Sequence, residues 1–168
     1  AISAQVEGRP RRDLYHSALE VYVPDGRFVI EMTPVIDMHG QRRGVVAEGP
    51  VGMRGAGRLR LLRYGIRRWR DGVIPDAEAA ISSPTRVSGD VEVARRILEL
   101  VPSVPTAVWG RDLIGAGDMW NSNSVTSWLL ARSNVDTAPI RPPGEGRAPG
   151  WNAGLVVAAR DGASATSR

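Results

Sequence analysis

The alternation on either side of Pro24-Asp25-Gly26 constrains the fold of this chain more than any other stretch. Over residues 14–23, Ser17, Leu19, Val21 and Val23 fall on one side of an extended chain and His16, Ala18, Glu20 and Tyr22 on the other, which is the period of a strand. Pro24-Asp25-Gly26 supplies turn chemistry, and Phe28-Val29-Ile30-Glu31-Met32 is a second β-branched and aromatic run. The two predict a hairpin, with His16 and Glu31 on adjacent strands.

Further elements can be read downstream. Residues 34–50 read as a loop holding a short strand around Val45-Val46-Ala47, and residues 58–64 alternate as a half-buried strand with arginines outward. Residues 75–88, broken by Pro84, read as loop or a short helical turn. Ser88-Gly89-Asp90 looks like a helix start, because Val91, Ala94, Ile97, Leu98 and Val101 follow at three- and four-residue spacings until Pro102 and Pro105. Trp120-Asn121-Ser122-Asn123-Ser124-Val125 opens a second, amphipathic helical segment running to about Ser133, with Val125, Trp128 and Leu129 as an apolar stripe facing the sheet. Residues 141–152 are rich in Pro and Gly and could wall a cleft, and Gly154-Leu155-Val156-Val157-Ala158-Ala159 reads as a last buried strand. The expected architecture is α+β, a mainly antiparallel sheet packed against helices near 90–101 and 122–133. One domain over 1–168 is expected, with a flexible arm at 1–13 and a polar tail at 161–168.

Bulk properties narrow the function classes. A 168-residue chain with 42% hydrophobic residues can close a real core as one domain. No apolar run approaches the roughly 20 residues of a membrane-spanning helix, and nothing at the start reads as a basic end before a greasy core. A soluble protein is expected, with the cytoplasm slightly favoured over other compartments. The absence of cysteine excludes disulfides, thiolate metal sites and a cysteine nucleophile. Two histidines without cysteine argue against a zinc site, and no metal or other cofactor is expected. Gly115-Ala116-Gly117 lacks the dinucleotide fingerprint, and there is no Gly-Lys-Ser/Thr phosphate loop. All 22 basic residues are arginine, a skew that fits GC-rich coding, and a formal charge of +4 does not by itself demand an acidic partner.

The order of the remaining features carries the functional reading. A His opens an apolar strand that ends at a Gly-containing turn, His16-Ser17-Ala18-Leu19-Glu20-Val21-Tyr22-Val23-Pro24-Asp25-Gly26. A Glu follows in the next strand, Val29-Ile30-Glu31, and Asn121-Ser122-Asn123-Ser124 stands far downstream at a helix start. This order resembles the circularly permuted papain-like fold, the group of permuted NlpC-type peptidases and lecithin retinol acyltransferase-like proteins, in which His comes first and the nucleophile last. The chain departs from the group where it matters most, with Ser122 in place of the nucleophilic Cys. The resemblance implies His16 as base, Glu31 as its orienter and Ser122 as attacking atom, with Asn121, Asn123 and Trp151 contributing to the oxyanion or substrate site. It implies hydrolysis of, or acyl transfer from, an amide or ester in a peptide, peptidoglycan or lipid substrate. A nucleophile at a helix N-terminus fits that chemistry, since the dipole stabilises its anionic form and free backbone N–H groups can receive a developing oxyanion.

Other readings of the same residues stand beside this one. Asn-Ser-Asn-Ser before an apolar stripe is also an ordinary helix cap. His39 is the rival base, read as a loop residue. The serine is compatible with a natural serine hydrolase, with a catalytically inactive binding domain of the same fold, or with a Cys→Ser substitution. Arg54, Arg58, Arg60, Arg63, Arg67, Arg68 and Arg70, interleaved with Tyr64 and Trp69, could instead make a nucleic-acid surface, although no nucleic-acid motif accompanies them.

Overall fold

The computed structural model describes residues 15–35, 44–59, 62–74, 84–142 and 146–166. His39 and Arg60, the arm at 1–13 and most of the segment at 75–88 lie outside the described residues. Among those described, four strands form one antiparallel sheet: β1 (Leu19–Val23), β2 (Gly26–Pro34), β3 (Val45–Pro50) and β4 (Arg63–Arg70). Their spatial order is β1-β2-β4-β3. Among the described residues three α-helices accompany the sheet: α1 (Val91–Leu100), α2 (Ser122–Arg132) and α3 (Trp151–Thr166). The α+β class and the antiparallel sheet are those expected from the sequence.

The hairpin closes where its turn residues require. Val23 pairs with Gly26, so Pro24 and Asp25 form the loop, and Gly26 sits at φ 136°, a conformation that side chains disfavour. β1 is shorter than the alternation suggested. It begins at Leu19, and residues 15–18 run ahead of it outside the strand, the Tyr15 amide donating to the Arg147 carbonyl at 3.0 Å.

Asp90 caps α1 by accepting the Glu92 amide at 2.8 Å. The core gathers Val21, Ile30, Met32, Tyr64 and Ile66 from the sheet with Ile97 and Val101, and Trp120, Val125, Trp128 and Leu129 complete it from the α2 side. Burial pushes the Tyr64 hydroxyl well above its ordinary range, and it donates to the Ala107 carbonyl at 2.6 Å.

Three sequence expectations are corrected. The strand placed at 58–64 begins instead at Arg63, residues Arg54–Arg58 forming a short 3-10 helix before it. Gly154 to Ala159 is not a strand but part of α3, which continues through Thr166 and takes in most of the expected polar tail. A six-residue apolar run has the length of a strand, and periodicity cannot separate the two at that length. Finally, α2 is not amphipathic. Every residue from Ser122 to Leu130 is buried, because α3 packs along it on one side while α1 and β2 approach from others.

Gly154 permits the α2–α3 approach. A β-carbon there would fall within contact distance of the Ser124 carbonyl oxygen and the Ser127 hydroxyl. The helices meet through backbone, and the Ser127 hydroxyl donates to the Trp151 carbonyl at 2.7 Å.

Candidate active site

The start of α2 separates capping from chemistry. Asn121 is the N-cap: its backbone is extended, and its side-chain oxygen accepts the amides of Asn123 at 2.9 Å and Ser124 at 3.3 Å. Ser124 Oγ accepts the Asn121 amide at 3.0 Å and closes a capping box. Both ordinary duties of an Asn-Ser-Asn-Ser start are thus taken by Asn121 and Ser124. Ser122, the first helical residue, is left with its hydroxyl 3.4 Å from His16 Nδ1, across 106 residues of chain.

Ser122 is 6% exposed, whereas His16 is exposed. Each makes this one side-chain hydrogen bond among the described residues. The contact is longer than the roughly 2.7–3.2 Å typical of hydrogen bonds between nitrogen and oxygen. Of the first amides of α2, those of Asn123 and Ser124 are occupied by Asn121, while the Ser122 amide has no partner among the described residues. That amide and the helix dipole are the electropositive groups nearest in sequence to the hydroxyl.

Glu31 is placed differently from the sequence expectation. Side chains alternate across a strand, and its neighbours Ile30 and Met32 both pack in the core beneath the helices, so Glu31 points to the opposite face. Arg67 stands directly across the ladder from it, and its Nη1 lies 3.8 Å from the Glu31 carboxylate, both side chains being buried. Glu31 borders the same depression as His16 and Ser122, but its carboxylate is not hydrogen-bonded to the imidazole. Opposite charges paired across two strands explain this arrangement.

Asn121 and Asn123 spend their amide groups on the protein. Asn121 Nδ2 donates to the Pro149 carbonyl at 2.7 Å, and Asn123 Nδ2 to those of Pro149 at 2.8 Å and Tyr15 at 2.9 Å. Asn123 Oδ1 accepts the Ser17 hydroxyl at 2.9 Å. Trp151, the first residue of α3, lines the depression, as does Trp109. The Pro- and Gly-rich loop expected to wall a cleft does border it through Arg141, Pro142 and residues 146–149. Gly150, at φ 86°, lies where any β-carbon would strike the Asn121 carboxamide, and its amide donates to Asp118 at 2.7 Å.

Sequence reasoning missed Ser17, Pro149, Asp118 and Arg67. Only Arg67 carried a usable signal, since strand register would have set it opposite Glu31. The β4 arginines do not share a single free basic face. Arg63 pairs with Glu48 at 3.1 Å, Arg67 with Glu31, and Arg68 donates to the Leu98 carbonyl at 2.7 Å. Among the described residues no group of three or more His, Cys, Asp or Glu could hold a metal ion, and no helix is long and apolar enough to cross a membrane.

Comparison with protein-family models, with curated proteins and with solved structures returns no match. The functional reading therefore rests on the geometry of the site.

Proposed function

We propose that this chain is a hydrolase or acyltransferase acting on amide or ester bonds, with Ser122 as nucleophile and His16 as its general base. The observation that carries the reading is the meeting of Ser122 Oγ and His16 Nδ1 at 3.4 Å at the start of a buried helix. Nothing local to either residue requires it, because capping is already discharged by Asn121 and Ser124.

The chemistry runs through a dyad. A hydroxyl cannot be held as a standing anion, so its proton must leave during attack. Ser122 Oγ attacks the carbonyl carbon as its proton passes to His16 Nδ1, and the developing oxyanion is received at the Ser122 amide. The tetrahedral species collapses as His16 returns the proton to the departing amine or alcohol. Water or another acceptor, deprotonated by the same nitrogen, then attacks the acyl carbon, and as the acyl–oxygen bond breaks His16 returns that proton to Ser122 Oγ. Closing the 3.4 Å contact is part of substrate binding, as catalytic hydrogen bonds often tighten only in the complex.

The order of His16 before Ser122 supports the resemblance to permuted papain-like hydrolases, and the Ser in place of Cys sets this chain apart from them. Peptide, peptidoglycan and lipid acyl groups all belong to the substrate class. A second reading, a binding domain of the same fold without turnover, draws on the pairing of Glu31 with Arg67, which leaves the imidazole without an orienting carboxylate among the described residues.

An activated ester such as p-nitrophenyl acetate separates the two. The expected result is a burst of p-nitrophenol and one acetyl adduct by intact mass, abolished in Ser122→Ala and slowed roughly 100-fold in His16→Ala. A protein that binds the ester without a burst or an adduct would favour the binding reading.

A further inference from the structure

We propose that Asn123 is a positioning residue that holds His16 against Ser122, an inference that rests on the dyad reading. His16 needs such a device. It lies in the segment 15–18, ahead of β1, where the described backbone hold is the Tyr15 amide donating to the Arg147 carbonyl at 3.0 Å and none is shown at His16 itself. The residues on either side of it are both gripped by one carboxamide: Asn123 Nδ2 donates to the Tyr15 carbonyl at 2.9 Å, and Asn123 Oδ1 accepts the Ser17 hydroxyl at 2.9 Å.

Asn123 is itself anchored. It is 1% exposed, its second Nδ2 hydrogen goes to Pro149 at 2.8 Å, and its backbone amide is held by the Asn121 cap. It also follows Ser122 directly in the first turn of α2. One planar group therefore ties the base-bearing segment to the helix turn that carries the nucleophile.

The side chain suits that task chemically. It presents two donors toward two carbonyls and an acceptor toward a hydroxyl, a combination that neither a carboxylate nor an apolar residue supplies. Aspartate would set negative charge against the Tyr15 and Pro149 oxygens, and leucine would take the side-chain donor from the Tyr15 carbonyl and the acceptor from the Ser17 hydroxyl, while Pro149 would keep Asn121. Without the clamp, the segment 15–18 keeps the Tyr15–Arg147 backbone bond but loses its tie to the turn that carries Ser122, so the imidazole can shift relative to the hydroxyl. A displacement of about 1 Å in a catalytic group can cost roughly 100-fold in rate.

The test uses the full chain carrying Ser122→Cys, with the rate of iodoacetamide alkylation followed against pH. An imidazolium beside a thiol at a helix N-terminus lowers its pKa to about 7.5 or below, against about 8.5 for a free thiol. Adding His16→Ala is expected to move the profile up toward the free value. Adding Asn123→Ala is expected to move it in the same direction, and Ser17→Ala, outside the helices, part of the way. In the His16→Ala background Asn123→Ala is expected to add nothing, which distinguishes positioning from a direct effect on the thiol. If Asn123→Ala does not fold, Ser17→Ala alone decides. A profile that responds to His16→Ala but to neither Asn123→Ala nor Ser17→Ala overturns the clamp and leaves the dyad standing. A profile indifferent to His16→Ala overturns both.

Discussion

Trp120→Ala is expected to destabilise the protein by about 4 kcal/mol, within the range of roughly 3–5 kcal/mol for emptying a buried aromatic site. Trp120 is fully buried. Its backbone is pinned on both sides, the amide donating to the Arg111 carbonyl at 3.1 Å and the carbonyl accepting the Gly110 amide at 2.8 Å. The surroundings therefore cannot collapse into the space left behind. For a chain of this length the melting temperature should fall by roughly 8–16 °C. Urea denaturation should show a lowered midpoint with an unchanged slope. Because Trp120 directly precedes the Asn121 cap, the ester burst should fall as well. A loss of under about 1 kcal/mol would mean that the indole is not packed as described.

Gly154→Ala is expected to cost about 3 kcal/mol, the upper end of the range for overpacking. The added methyl would meet the Ser124 carbonyl oxygen, a backbone atom in a buried helix that cannot rotate aside. Relief requires α2 and α3 to separate, which breaks the Ser127–Trp151 and Ser124–Gly150 hydrogen bonds, both 2.7 Å. Gly162→Ala is the control on the same helix, because the group nearest its added carbon is the end of the Arg132 side chain. It should be neutral or slightly stabilising, as alanine favours a helix over glycine by about 1 kcal/mol. Equal melting temperatures for the two variants would contradict the close crossing.

Gly154 also shows why part of the fold was hidden in the sequence. Its role depends on what it touches, and Gly154 to Ala159 offers only small and apolar side chains, which suit a buried strand and a tightly packed helix alike. The polar residues that follow, Arg160 and Asp161, read as a tail but lie within α3, where Arg160 donates to the Ile114 carbonyl at 2.8 Å and Asp161 accepts from Trp128 at 2.9 Å. The hairpin was legible because Pro24-Asp25-Gly26 acts locally, and α1 because Asp90 and the spacing of Val91, Ala94 and Ile97 agree.

The site divides along the same line. Ser122 and the helix start could be read from a short stretch, and His16 from the order of the motifs. Glu31 could be placed in its strand but not on its face, because the face depends on which neighbours pack in the core. Once Ile30 and Met32 turn inward, Glu31 must turn toward Arg67. The clamp formed by Asn123, Ser17 and Pro149 joins three distant segments, so no local pattern announces it.

The proposed dyad requires Ser122 and His16 to react as one unit. Its most direct measurement is fluorophosphonate labelling of the unaltered chain, followed by peptide mapping of the adduct. A single adduct on Ser122 is expected, formed roughly 100-fold more slowly in His16→Ala. Failure to label, or labelling of Ser122 at a rate indifferent to His16, would contradict it.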